Sequence, residues 1–279
     1  MSSLWGRFRS AWDVLRKEGA AQVLETGRMF LAQRVLRAQP DLVQHRYLLG
    51  EPLARQLDYR IARGPFEGLR MDPSSSWSGG DRGGILLGLY EEEVLKALDD
   101  LADGRTPFVD VGAADGYYAV GMLVTGRCPR ATCFEMSDAG RQVIASNAVL
   151  NNVAPQMTIR GVAGQSFLDE IPPECWAPDR PALFLFDIEG AEFALLTDEV
   201  LERLSTSRGV VELHAPLDHP DVRALLERFQ RHFVVDLIRM GPRDPSGISM
   251  LESWSENVRW LLCSESRAYV MHWLVFKPR

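Results

Sequence analysis

Beyond residue 105 the chain alternates short apolar runs with stretches of helical spacing. The runs predict strands at 107–111, 131–135, 157–162, 182–187, 209–214, 233–239 and 269–276. Apolar positions three and four apart predict helices at 117–125, 138–151 and 192–204. Alternation of this kind implies right-handed βαβ crossovers, hence an α/β fold with a largely parallel sheet covered by helices on both faces. Residues 182–186, ALFLF, are continuously apolar, as a strand buried on both sides must be.

The texture before residue 105 is different. Trp5, Phe8, Trp12 and Leu15 share one helical face, Gly19 interrupts it, and a second periodic stretch runs from Val23 to Leu36 before Pro40. Residues 1–57 therefore predict an N-terminal helical arm. It would pack on the body or on a second copy of the chain as a homodimer; the less favoured alternative is a basic amphipathic segment lying on an anionic membrane. Residues 58–104 predict a short hairpin over Tyr59–Asp72, a Ser/Gly-rich loop at 73–84 and a lead-in helix. Glu91, Glu92 and Glu93 are expected to favour that helix through its N-terminal dipole. The α/β domain then occupies 105–279.

Composition narrows the function. The 279 residues carry a net charge of −7, so no global field attracts nucleic acid. Residues 1–40 hold seven Lys/Arg against three Asp/Glu, or +4, which leaves −11 for the remainder. Four cysteines without a CxxC pair predict reduced, buried thiols rather than a disulfide scaffold or zinc site. No apolar run reaches membrane-spanning length, and charged residues interrupt the N-terminus, so a cytoplasmic location is expected.

The first strand leads into Asp110-Val111-Gly112-Ala113-Ala114-Asp115-Gly116. In open α/β sheets a ligand sits beyond the carboxyl ends of the strands, so this turn is where one is expected. The pattern is not GxGxxG, and Asp115 within it would repel a pyrophosphate; GxxxxGK[ST] is absent as well. Carboxylates in a phosphate-free glycine turn suit a ligand with a sulfonium, an ammonium and ribose hydroxyls, which is S-adenosylmethionine. Gly112 is expected to let the backbone approach that ligand without a Cβ in the way. Glu135 ends the second strand 25 residues after Asp110, where an acid accepts hydrogen bonds from ribose hydroxyls in related sites.

With these residues in hand, the sequence resembles the class I S-adenosylmethionine-dependent methyltransferases of the FkbM type. "FVDVGAADG" resembles their first motif, "CFEMS" their second, and "LFLFDIEGAEFALL" their Asp-(Val/Ile)-Glu-Gly-x-Glu signature; "LGLYEEEVL" and "VVELHAP" also fit. The resemblance covers roughly residues 80–216. It implies a Rossmann-like seven-stranded sheet, mostly parallel with its last strand antiparallel, and methyl transfer to an oxygen of a sugar, polyketide or other small molecule. The residues expected at the cofactor are Asp110, Gly112, Ala113, Asp115, Gly116, Glu135, Met136 and Asp187.

An alcohol needs a base or a metal before it attacks a methyl group. Asp187 and His214, at the ends of the fourth and fifth strands, are the expected catalytic residues. Two routes stay open: one of them acts as general base, or Asp187, Glu212 and His214 hold Mg2+ or Mn2+, an arrangement similar to that of catechol-type O-methyltransferases. Glu189 and Glu192 flank a helix start, where dipole stabilisation is their simplest role. His219 lies in a turn-rich loop and is expected to be solvated. Methylation of nitrogen on an amine or peptide, and a fold retained for binding without turnover, are the competing functions; the Asp115-containing turn disfavours a nicotinamide oxidoreductase.

Overall fold

A computed structural model describes residues 42–74, 80–265 and 267–279. The expected arm up to residue 41, with Trp5, Phe8 and Trp12, lies outside the described residues, as does the centre of the Ser/Gly loop at 75–79. All seven predicted strands form, each within a few residues of its predicted ends: β1 Phe108–Val111, β2 Ala131–Phe134, β3 Met157–Arg160, β4 Leu183–Phe186, β5 Arg208–Glu212, β6 Phe233–Arg239 and β7 His272–Pro278. They make one sheet in the order β3-β2-β1-β4-β5-β7-β6. The first five strands run parallel, and β7 lies antiparallel between β5 and β6. This is the Rossmann-like α/β sheet, with its antiparallel last strand, that the resemblance implied.

β4 shows how the pattern makes the layers. Side chains alternate across a strand, so Leu183 and Leu185 enter one apolar cluster while Phe184 and Phe186 enter the other. The rings of Phe184 and Phe186 stack at 5.6 Å. Each ring withdrawn from water stabilises the fold by about 1.5–3 kcal/mol. The first cluster takes its cover from α2 (Arg82–Leu86), α3 (Glu92–Leu101), α4 (Tyr117–Val124) and α5 (Asp138–Leu150), and the second from α7 (Asp198–Arg203) and α8 (Pro220–His232).

Two local expectations change. The helix predicted over 192–204 is two pieces, α6 (Glu192–Leu195) and α7, because Thr197 caps a new start by accepting the Val200 N–H at 3.3 Å. The segment 59–72 does turn back on itself: Arg60 bridges Arg70, the Ile61 N–H donates to the Leu69 carbonyl at 2.8 Å and the Met71 N–H to the Tyr59 carbonyl at 2.9 Å. Its second limb is held as well by asparagines of α5 and the turn after it, Asn151 bonding both backbone groups of Arg70 and Asn147 accepting the Asp72 N–H at 2.7 Å. The second change concerns α1 (Leu42–Gln56), which falls within the stretch read as arm. Its Leu53 and Ala54 are fully buried, and removing a buried leucine side chain costs about 2–5 kcal/mol. Residues 43–279 accordingly form one compact unit.

The last quarter of the chain returns to the start of that unit. Ile248, Leu251 and Leu262, the last in α9 (Glu256–Cys263), pack with Leu53, Leu87 and Leu89 in a third cluster. That return carries Glu265 and Arg267 towards the sheet's carboxyl edge. None of the described helices is long and apolar enough to cross a membrane.

Candidate active site at the carboxyl edge of the sheet

The glycine turn is wound tightly. Gly112, Ala114 and Gly116 all have positive φ, at 93°, 50° and 82°. A Cβ on Gly112 would stand 1.7 Å from the Asp187 carbonyl oxygen, so glycine is demanded here by the close approach of the segments that follow β1 and β4. That demand of the fold is separate from the ligand approach expected of Gly112. Gly140 does a related job at the start of α5, where a Cβ would meet Glu135 Cγ at 2.8 Å and the Ala114 carbonyl at 2.9 Å.

The amide groups of Gly112, Ala113, Ala114 and Gly116 are spent within the protein. Gly112 and Ala113 both donate to the Phe134 carbonyl at 2.9 Å, Ala114 donates to Glu135 Oε2 at 3.0 Å, and Gly116 donates to the Ala113 carbonyl at 2.6 Å. The Tyr117 N–H at the head of α4 goes to Asp115 Oδ1 at 3.2 Å. A phosphate-binding turn aims such groups outward at its ligand. This one keeps them and surrounds itself with carboxylates.

Asp110 is 1% exposed, and neither carboxylate oxygen has a hydrogen-bond partner of regular geometry. Burial, then the charge of Asp187, pushes its pKa well above the usual carboxylate range, against a smaller opposing contribution from the Ala119 N–H. Glu135 is also buried, its second oxygen accepting the Ser137 N–H at 2.7 Å. Met136 is 78% exposed. A cavity of about 480 Å³ lies beside the turn, bounded by Asp72, Ala114, Asp115, Ser137, Gly140 and Ser146. The residues expected at the cofactor thus gather along the ends of β1, β2 and β4, with Met136 at the solvent margin.

The predicted reaction centre also comes together. Asp187, Glu212 and His214 each present an atom within 4.8 Å of the others'. His214 Nε2 lies 3.3 Å from Asp187 Oδ1, 3.7 Å from Glu189 and 3.9 Å from Glu212 Oε1. Its Nδ1 faces Glu192 Oε1 at 3.2 Å. Burial alone would lower the imidazole pKa, but hydrogen bonds to Asp187 and Glu192 and the charge of Glu212 outweigh it and raise it to about 11. His214 is therefore an imidazolium at neutral pH.

Several residues of this rim carried no signal as a group in the sequence. Glu192 is fully buried; besides facing the imidazole, it accepts the His214 N–H at 3.1 Å and the Gly190 N–H at 2.9 Å. It ties the turn after β4 to the end of β5, a larger role than dipole stabilisation. Glu91, counted with its neighbours as a dipole residue, instead precedes α3 in a left-handed conformation, turns inward and receives the Tyr118 hydroxyl. Arg267 gathers three buried acids: Nη1 donates to Glu212 Oε1 at 3.1 Å, Nε to Glu265 Oε2 at 3.2 Å, and Nη2 to Glu91. The guanidinium also stands over the Tyr90 ring, 5.8 Å from its centre. Arg243 continues the network from Glu265 to Glu93.

Burial and the charges of Glu91 and Asp187 raise the Glu212 pKa well above its usual value, against the pull of Arg267 and His214. His219 caps α8, accepting the Asp221 N–H at 3.3 Å, and is as solvated as its loop suggested.

The separations of 3.3 and 3.9 Å from His214 Nε2 would suit ligands around one divalent ion. The donor set fits poorly in its charge. Glu212 Oε1, the oxygen nearest His214, is the one Arg267 already holds, and an ion there would face a guanidinium a few ångströms away.

No model of a known protein family matches the chain, and no curated protein does. Solved structures resemble it distantly. A putative tRNA (m1A22) methyltransferase of Streptococcus pneumoniae, in complex with S-adenosyl-L-methionine, shares 14% identity over 68% of this chain and 73% of its own, with a TM-score of 0.47. A precorrin-6y C5,15-methyltransferase of Geobacter metallireducens shares 14% over 68% and 89%, with a TM-score of 0.45.

Proposed function

We propose that the chain is an S-adenosylmethionine-dependent methyltransferase of the FkbM type that methylates a hydroxyl of a sugar, polyketide or other small molecule. One observation carries the reading: the glycine turn gives the amide hydrogens of Gly112, Ala113, Ala114 and Gly116 to acceptors within the protein and is ringed by Asp110, Asp115, Glu135 and Asp187. Such a turn disfavours pyrophosphate and favours a cationic, phosphate-free nucleoside. The orphaned Asp110 carboxylate fits the same reading, since a cationic ligand nearby would stabilise its ionised form. Asp110, Ala113, Asp115, Gly116 and Glu135 would hold the cofactor, with Glu135 offering its remaining lone pairs to the ribose and Met136 flanking the base. The acid surplus at the rim also favours a neutral or cationic acceptor over nucleic acid.

The cofactor supplies an electrophilic methyl group on a cationic sulfur; the protein supplies alignment and a base. His214 already carries its proton at neutral pH, so Asp187, 26% exposed at the rim, is the group that takes the hydroxyl proton. His214 holds Asp187 in place, and Glu192 holds His214. An N-methyltransferase is the second reading, because Asp187 and the exposed Glu189 would also orient an ammonium group.

The test begins with calorimetry on the full chain. One molecule of S-adenosylhomocysteine should bind, and NAD should not. Asp187→Asn should keep that binding and lose transfer to acceptors bearing hydroxyls. Tight NAD binding with no response to S-adenosylhomocysteine would reject the proposal.

A further inference from the structure

The rim has more negative groups than its visible chemistry needs. Glu91, Glu212 and Glu265 are each almost fully buried and come from the lead-in segment, β5 and the C-terminal return. Buried carboxylates do not stay together without a cation, a proton or both. In this protein one guanidinium meets all three, with donors on Nε, Nη1 and Nη2. Arginine is suited to the task because its planar fork addresses several oxygens at fixed angles and its charge is permanent. Arg267 meets Glu212 at Oε1, the same oxygen that faces His214, while Asp187 keeps its own contact with the imidazole.

We infer that Arg267 is the fixed cation of the reaction rim, a positioning residue that occupies the electrostatic place of a divalent metal and keeps the site metal-independent. Glu212 is then a bridge between Arg267 and His214, and the C-terminal return is part of the active site because it brings the cation. The inference deepens the proposed reading of this rim. Its test reads metal binding alone, so its failure is distinguishable from a failure of cofactor binding.

The experiment is a titration of the full-length protein with Mn2+, followed by the loss of the free-ion electron paramagnetic resonance signal. Wild-type protein should bind no Mn2+ at the rim at millimolar concentration. Arg267→Met removes the cation and leaves Asp187, Glu212 and His214 facing one another; it should bind one Mn2+ per chain, and adding Glu192→Gln should weaken that binding by about 10–100-fold. Arg267→Lys keeps a positive charge and should stay metal-free. Stoichiometric Mn2+ binding by the wild type, lost in His214→Ala, overturns the inference. So does a folded Arg267→Met variant that binds none, or an Arg267→Lys variant that binds as Arg267→Met does. Should Arg267→Met fail to fold, the wild type and Arg267→Lys decide the matter.

Discussion

The glycine turn and the acid rim lie along the same edge of the sheet, yet they are built in opposite ways. The turn is local. Residues 110–116 wind it, and the amides of Gly112, Ala113, Ala114 and Gly116 are met by Phe134, Glu135 or the turn itself, all close in sequence. The rim is assembled at long range: Glu91 and Arg267 are 176 positions apart, and Arg243 reaches Glu93 across 150. Close backbone approach organises the first, and charge pairing in a low-dielectric interior organises the second. A turn of this kind can stay fixed while the electrostatics of the rim are tuned by distant substitutions.

If the turn is a backbone device, its most damaging substitution acts through sterics. Gly112→Ala places a Cβ into the Asp187 carbonyl at a φ of 93°, and a loss of roughly 3 kcal/mol or more is expected in urea unfolding. A variant as stable as wild type would mean that the close approach of Gly112 to Asp187 beyond β1 and β4 relaxes easily, and the contrast with the rim would weaken.

The rim's counterpart is Glu192→Ala, which deprives two backbone N–H groups and an imidazolium of their acceptor. About 2–4 kcal/mol of stability should be lost, because the groups left behind are buried. Full stability in that variant would show that water or a neighbouring carboxylate replaces Glu192.

Glu135→Ala touches the seam between turn and cofactor. It removes the acceptor for the Ala114 and Ser137 amides, and S-adenosylhomocysteine affinity should fall by about 1.5–3 kcal/mol in calorimetry. An unchanged affinity would leave Glu135 with a structural task only.

These differences set what could be read in advance. The strands were legible because their apolar runs leave little choice of burial, and the turn because its glycines and acids stand together in the chain. Asp187, Glu212 and His214 were legible as a set because parallel neighbours β4 and β5 end on one rim. The partners that give them meaning were not. Glu91 looks like any acid at a helix start, Arg267 like any surface arginine, and Glu192 needs the turn at Glu189–Gly190 to fold back onto His214. The break at Thr197 is hidden in the sequence by apolar spacing that continues across it.

The smallest effect concerns the thiols, which sit outside both regions. Cys128, Cys133, Cys175 and Cys263 are buried and unpaired by disulfides, as their spacing suggested. Burial raises all four pKa values, Cys128 to about 12 and Cys263 to about 11. The folded state therefore holds the protonated thiol. That contribution to stability is fully present below the unfolded thiol pKa of roughly 8.5 and is lost as pH rises through the folded values. Alkylation of the native protein near neutral pH should be slow at every cysteine and become complete on unfolding. Rapid native labelling of any one of them would contradict its burial.

If the turn at 110–116 holds S-adenosylmethionine beside Asp187, a crystal structure of the full chain with S-adenosylhomocysteine should show it. The ribose hydroxyls should lie against Glu135, the amino-acid moiety near Asp110 and Gly112, and the sulfur facing the Asp187–His214 rim. Density for the ligand elsewhere on the protein, or a ribose turned away from Glu135 with the sulfur remote from Asp187, would contradict it.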